Sequence, residues 1–232
     1  EAIGKNVKKI KPGDEVYGDM CESGFGAFAE YKSAKENALA LKSPAMSFEQ
    51  AAATPQAAMM AVQALRDVGK IKPGQKLLIN GAAGAVGTFA VQIAKSYGAE
   101  VTGVDHPDKF DRMRSIGFDH VIDYTKEDFT KTGKRYDMIL DVRTDRSIFA
   151  YFRALNRHGI YATVGGQLNR IAGALLLVKW WLTLFSKKHY RMVAMKANRD
   201  LDYMNELFES GAVKPVIHHV YKLDEVPEAF RV

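Results

Sequence analysis

The chain has 232 residues, of which 47% are hydrophobic and 26% are charged, and its formal net charge is +6. This length is enough for one large or two modest domains with a buried core. The composition excludes collagen-like, disordered and disulfide-rich proteins. The basic residues are scattered and no nucleic-acid-binding motif is present, so we expect no nucleic acid partner. A mild positive charge would still attract a phosphate-bearing ligand.

The ends and the apolar content of the chain bear on its location. The first residues lack the apolar region of a signal peptide. The longest apolar stretch, 171–185, is interrupted by Lys179 and is too short to span a bilayer comfortably. The single cysteine, Cys21, excludes an intramolecular disulfide and fits a reducing compartment. We therefore expect a cytoplasmic protein without an integral membrane span. The chain begins in strand-like sequence and ends in a helix-like segment, which favours a fragment of a longer protein.

The first part of the chain, up to residue 41, reads as short strands separated by turns. Strands are predicted at 15–18, after a Pro-Gly turn, and at 28–31. Ser47 followed by Gln50 is the pattern of a capping box, and it predicts an alanine-rich helix that runs to about Val68.

Strand and helix signals then alternate. Such alternation with short loops predicts βαβ units, a parallel sheet and an α/β fold that is doubly wound. A later amphipathic helix is predicted at 200–210, and strand-like sequence follows at 213–221. The predicted strands of the sheet are 76–80, 100–104, 120–123, 138–141 and 160–164, and the predicted helices are 86–97 and 108–116.

The turn after the first of these strands carries the strongest functional signal. Residues without bulky side chains let the backbone approach a pyrophosphate, and the free amides at the start of the next helix then point at that anion. The spacing is a variant of the glycine fingerprint of a Rossmann dinucleotide-binding domain, in which Ala82 stands at the first glycine position. The predicted cofactor-binding residues of this loop are Gly81, Ala82, Ala83, Gly84, Ala85, Val86 and Gly87.

An acidic residue ends the next predicted strand. Asp105 is placed to accept hydrogen bonds from the adenosine ribose, and its charge would disfavour a 2′-phosphate. Lys109, four residues later, could reach either the ribose or that phosphate. These two residues predict NAD(P)H as the cofactor, with NADH modestly preferred. The alternative is a glycine turn that only packs a helix on a strand, with Asp105 as a helix cap.

The glycine loop and its flanks resemble the zinc-independent quinone oxidoreductases of the medium-chain dehydrogenase/reductase superfamily. The resemblance implies a Rossmann domain at 58–212 within a GroES-like, β-rich catalytic domain at 1–57 and 213–232, of which the first part and the final strand are missing. It further implies hydride transfer from NAD(P)H to a small quinone or α,β-unsaturated carbonyl. The segments that carry it are 11–18, 26–31, 47–55, 80–95, 117–124, 211–215 and 223–230.

The resemblance extends the candidate cofactor contacts beyond the loop. It makes Tyr124, after the third strand of the sheet, a cofactor contact, the alternative being a packed aromatic ring. Gly165 and Gly166 follow the strand at 160–164, at the edge where open α/β sheets bind ligands. Asp141, at the end of its predicted strand, is also a candidate cofactor contact. The turn after it, 142–145, replaces a glycine-bearing turn of the family.

No metal site and no catalytic residue are assigned from the sequence. The region between residues 17 and 25 has only Cys21 where zinc-dependent relatives have a cysteine-rich lobe. His218 and His219 are adjacent on strand-like sequence and would face opposite sides. A proton donor, if one is needed, is expected in the missing N-terminal segment.

Two further surfaces and two rival functions stay open. The apolar segment at 171–185 is expected to pack in the cleft or at a dimer interface, the alternative being a substrate or membrane-surface contact. Residues 191–196 read as an edge strand that could pair with its twin in a homodimer. The rival functions are a reductase of simple aldehydes and a non-catalytic dinucleotide-binding protein. Met60, where the family commonly has threonine, and Arg143 would favour the latter.

Overall fold

The computed structural model describes residues 1–164 and 187–231. The chain divides into two compact units. The first consists of Glu1–Met59 and Lys196–Val232, and the second of Met60–Met195. The divisions between the units fall after Met59 and after Met195, whereas the domain boundaries expected from the sequence are at 57/58 and 212/213.

The described strands and helices are these, in chain order. The strands are β1 (Val16–Tyr17), β2 (Ala40–Leu41), β3 (Lys76–Asn80), β4 (Glu100–Asp105), β5 (His120–Asp123), β6 (Tyr136–Asp141), β7 (Leu155–Thr163) and β8 (His189–Met192). The α-helices are α1 (Phe48–Ala53), α2 (Pro55–Val62), α3 (Ala85–Ser96), α4 (Phe110–Ser115), α5 (Ile148–Arg153), α6 (Leu201–Glu209) and α7 (Val226–Ala229). A π-helix, Gln63–Gly69, follows α2.

In the described residues, the second unit is built on a sheet of six strands in the order β5-β4-β3-β6-β7-β8. Every neighbouring pair is parallel. Numbered along the chain from β3, this order is 3-2-1-4-5-6, which is the Rossmann arrangement. Open sheets of this kind bind ligands where the strand order reverses, outside the carboxyl ends of the strands. Here that point lies between β3 and β6, where Asn80 pairs with Asp141.

Helix α6 belongs to the first unit. Leu201, Met204, Leu207 and Phe208 form the buried face of α6. The hydroxyl of Tyr17, on β1, donates to the carbonyl oxygen of Leu201 at 2.9 Å. These contacts place α6 with the first unit instead of with the Rossmann sheet.

Several predicted elements differ in the structure. The capping box of Ser47 and Gln50 is present, but the helix ends at Ala53 and a second one begins at Pro55, because proline cannot continue the backbone ladder. Residues 28–31 and 213–221 form no strand in the part of the chain that the structure describes. Phe28 and Tyr31 are 66% and 73% exposed, so alternation there does not reflect a buried face. Only the start of the predicted edge strand 191–196 is strand, in β8.

Residues 165–186 lie outside the described residues, and with them Gly165, Gly166 and the apolar segment 171–185. Among the residues that are described, no helix is long and apolar enough to cross a membrane.

Candidate dinucleotide-binding site

The glycine loop is held against β4 by backbone hydrogen bonds. Gly81 has a φ of +83°, a conformation that side chains other than glycine rarely adopt. The amides of Gly81 and Ala82 both donate to the carbonyl oxygen of Val104, each at 3.2 Å. The loop is thus fixed at the carboxyl end of β3, beside the point where the strand order reverses.

The other two glycines of the loop differ in what surrounds them. A Cβ added to Gly87 would lie 2.2 Å from the carbonyl oxygen of Ala82, so only glycine lets α3 approach the loop this closely. A Cβ added to Gly84 would have the oxygen of Gly81 at 3.4 Å as its nearest neighbour. Gly84 is exposed and has extended backbone angles, φ −75° and ψ 171°. It borders open space that a ligand can enter.

The start of α3 supplies the chemistry that an anion needs. Gly84 is the residue that caps this helix, and it offers no side-chain hydrogen bond. The first-turn amides of a helix have no partner within the helix, and the helix dipole favours negative charge at this end. The open space at Gly84 and the uncapped amides together fit the pyrophosphate of a dinucleotide.

Asp105 connects β4 to the loop. Its Oδ2 accepts from the amide of Ala83 at 2.8 Å, and its Oδ1 accepts from the amide of His106 at 2.9 Å. The Nζ atom of Lys109 lies 3.3 Å from Oδ1. The Asp105 side chain is 12% exposed and that of Lys109 is 49% exposed. Asp105 is therefore both an acceptor at the strand end and an anchor of the loop, a second role that strand position alone did not indicate.

A pocket of about 90 Å³ lies at this edge of the sheet. It includes three residues predicted from the sequence to bind the cofactor: Gly81, Asp105 and Tyr124. Four others were not predicted as contacts, although the polar Asn80 at the end of an apolar strand was a signal that could have been used. The full lining consists of Asn80, Gly81, Val104, Asp105, Tyr124, Arg143 and Asp145.

Tyr124 is 40% exposed and stands beside charged and aromatic neighbours. Its ring centre lies 6.2 Å from that of His106 and 5.8 Å from the guanidinium carbon of Arg143. The ring is thus a wall of the pocket and not a core residue.

Asp141 occupies a different position from the one the sequence suggested. It is fully buried, with 0% exposure, so its carboxylate cannot touch a ligand in this conformation. Asn80 donates to its Oδ1 at 2.9 Å and the hydroxyl of Tyr161 donates to its Oδ2 at 2.5 Å. Burial raises the pKa of Asp141, although these hydrogen bonds oppose the shift. The side chain ties β3, β6 and β7 together below the site.

The raised pKa of Asp141 predicts a pH-dependent stability. The folded protein holds this proton more tightly than the unfolded chain, whose aspartates have a pKa of about 3.9. The stabilisation is therefore present below that value and is lost as pH rises through the folded-state pKa. Asp141→Asn removes this titration. As pH rises above about 4, the unfolding free energy of the wild type should therefore fall relative to that of the variant, by up to about 1.4 kcal/mol per pH unit.

Urea unfolding of both proteins between pH 4 and 8 measures this difference. Acids with a lowered pKa, such as Asp119 and Asp128, are common to both proteins and cancel in the comparison. A difference in unfolding free energy that is the same at every pH would contradict the assignment.

Within residues 1–164 and 187–231, no group of three or more histidine, cysteine, aspartate or glutamate side chains could hold a metal ion. His218 and His219 lie on irregular backbone and not on the predicted strand.

Comparison with known proteins identifies the family. Residues 116–232 match the family described as zinc-binding dehydrogenase. The chain is 33% identical to a 2-methylene-furan-3-one reductase of Solanum lycopersicum, over 98% of this chain and 56% of that protein. It is 30% identical to a chloroplastic quinone-oxidoreductase of Triphysaria versicolor, over 98% of this chain and 71% of that protein. The structure of a quinone oxidoreductase from Coxiella burnetii matches with a TM-score of 0.85 at 24% identity, over 99% of this chain and 71% of that one.

The chain thus spans little more than half the length of the Solanum relative. The family match covers half of the chain, and the sequence match with the Triphysaria protein covers more than two thirds of that relative. The resemblance noted from the sequence is confirmed: this chain belongs to the zinc-binding dehydrogenase family, among the quinone and enone oxidoreductase-like members of the medium-chain dehydrogenase/reductase superfamily.

Proposed function

We propose that the protein is an NAD(P)H-dependent oxidoreductase that transfers hydride to a quinone or an α,β-unsaturated carbonyl without zinc. The observation that carries the proposal is the open, uncapped start of α3 at Gly84, beside the reversal of strand order. The named activities of the Solanum and Triphysaria relatives support the substrate class. The cofactor supplies the hydride, and the protein contributes binding, orientation and electrostatics.

The residues of the second unit have distinct tasks in this proposal. The amides of Ala85 and Val86, in the first turn of α3, bind the pyrophosphate, and Asp105 accepts from the adenosine ribose while it holds the loop. Tyr124 and Lys109 flank the adenosine side. Asp141 positions Asn80 from below and does not contact the cofactor. Residues 1–57 and 213–232, which lie within the first unit, are proposed as part of a GroES-like catalytic domain.

Steady-state turnover distinguishes the proposal from its rivals. Oxidation of NADH or NADPH should proceed with a quinone or an enone and be much slower with a simple saturated aldehyde. Preference for the aldehyde would favour the first rival. Tight cofactor binding by calorimetry without turnover on any of the three would favour a non-catalytic binding protein.

The same assay tests the zinc-independence. No metal-ligand group exists among the described residues, and zinc sites need clustered ligands. Turnover should therefore be unchanged after incubation with a strong chelator and dialysis. Loss of turnover that added zinc restores would overturn this part of the proposal.

A homodimer and a cytoplasmic location complete the proposal. Among the strands that the structure describes, β8 is the last in the sheet order, and Met192 on it is 56% exposed. Edge strands offer unpaired backbone groups to a second copy, and two-fold pairing is the commonest way to close such a contact. Light scattering that gives a monomer mass at micromolar concentration would contradict the dimer.

A further inference from the structure

Arg143 follows β6, and its side chain reaches toward the end of β5. Its Cβ lies 3.3 Å from the position that a Cβ on Gly81 would take. Its guanidinium carbon lies 5.8 Å from the ring centre of Tyr124, which follows β5. In the sheet, β3 and β4 lie between those two strands. The arginine side chain therefore crosses the carboxyl ends of β3 and β4, where the glycine loop and Asp105 line the same pocket.

The carboxylates of this pocket already have partners. Asp105 is paired with Lys109, and Asp145 is paired with Arg146 at 2.7 Å. Arg146 is 17% exposed and is also bound to Asp128, so it is fixed in place. Arg143 is exposed, and across 1–164 and 187–231 it forms no ion pair with a carboxylate. Its partner is the face of the Tyr124 ring, a weak interaction at an exposed site.

We propose that Arg143 is a ligand of the cofactor pyrophosphate, resting on Tyr124 in the free protein and pairing with the phosphates when a dinucleotide binds. This inference rests on the proposed dinucleotide binding. A guanidinium forms two parallel hydrogen bonds to phosphate oxygens, which a ring cannot match. The pyrophosphate is favoured over the adenosine 2′-phosphate because Arg143 begins beside Gly81 of the loop, whereas a 2′-phosphate would face the Asp105 carboxylate.

Binding of three nucleotides distinguishes a contact with the pyrophosphate from a contact with the 2′-phosphate. 5′-ADP carries the diphosphate at the 5′ position, 2′,5′-ADP carries single phosphates at both positions, and 5′-AMP is the reference. Calorimetry should show that Arg143→Ala weakens the binding of 5′-ADP by about tenfold or more. Its effect on the affinity for 2′,5′-ADP should be no larger than its effect on the affinity for 5′-AMP. The affinities for NADH and NADPH should fall by equal factors. Arg143→Lys should restore part of the loss, because it keeps the charge but not the bidentate geometry.

The matched control is Arg157→Ala, which removes an exposed arginine near the start of β7, away from the carboxyl edge. It should bind every nucleotide as the wild type does. A selective loss of 2′,5′-ADP in Arg143→Ala would assign Arg143 to the 2′-phosphate and overturn the proposal, and so would unchanged binding of all three nucleotides. If the wild type itself bound no dinucleotide, the proposed function would fail first. If the wild type bound the dinucleotide and Arg143→Ala bound it equally well, the proposed function would stand but this inference would be wrong.

Discussion

Gly84→Val should weaken the binding of NADH and NADPH by about a hundredfold while leaving the protein folded. The extended backbone angles of Gly84 are open to valine, and an added Cβ meets nothing closer than 3.4 Å. The valine side chain would instead fill the space over the uncapped amides of α3. Losing two charge-assisted hydrogen bonds of roughly 1.5 kcal/mol each corresponds to about a hundredfold in affinity. Isothermal titration calorimetry measures the binding, and circular dichroism during heating measures the fold.

Two companion variants make this test specific. Gly4→Val adds the same side chain at a position where an added Cβ meets nothing within 4 Å, so it should change neither binding nor stability. Gly87→Ala places a Cβ 2.2 Å from the oxygen of Ala82 and should destabilise the fold by about 1–3 kcal/mol through overpacking. If the folded Gly84→Val protein bound both cofactors with wild-type affinity, the assignment of the loop to the cofactor site would be wrong.

The alternation of strands and helices in the second unit was readable from the sequence because parallel strands are buried on both faces and appear as short apolar runs. The strand at 120–123 has the predicted bounds, and the strand beginning at Lys76 does too. Residues 28–31 also alternate, but a strand needs a neighbour to satisfy its backbone, and pairing is a tertiary property. The first unit was therefore predicted less well than the second.

The candidate site divides in the same way. The loop from Gly81 to Gly87 was visible because glycine spacing is a local requirement of the turn. The burial of Asp141 was not visible, because it depends on Asn80 and Tyr161, which lie 61 and 20 residues away. The position of Arg143 against Tyr124 likewise follows from the order of the strands in the sheet and not from their order in the chain.

Cofactor choice should depend on the charge of Asp105. A carboxylate at this strand end accepts from the ribose of NADH but repels the 2′-phosphate of NADPH. Like charges about 4 Å apart cost on the order of 1 kcal/mol in water and more where solvent is reduced, and Asp105 is 12% exposed. We therefore predict a modest preference for NADH in the wild type.

Asp105→Asn is the appropriate change, because the amide oxygen can still accept from Ala83 and keep the loop in place, whereas Asp105→Ser would lose that anchor. The variant should shift the ratio of the two dissociation constants toward NADPH by about fivefold or more, the factor that corresponds to 1 kcal/mol. Lys109→Ala should shift the ratio toward NADH, since Lys109 partly neutralises Asp105 at 3.3 Å.

The charge control is Asp108→Asn, because the carboxylate of Asp108 is 64% exposed and bound to His106. The ratio of dissociation constants in this variant should stay that of the wild type. Titration of both cofactors against the four proteins gives the ratios. A clear NADPH preference in the wild type that Asp105→Asn leaves unchanged would show that another residue selects the cofactor.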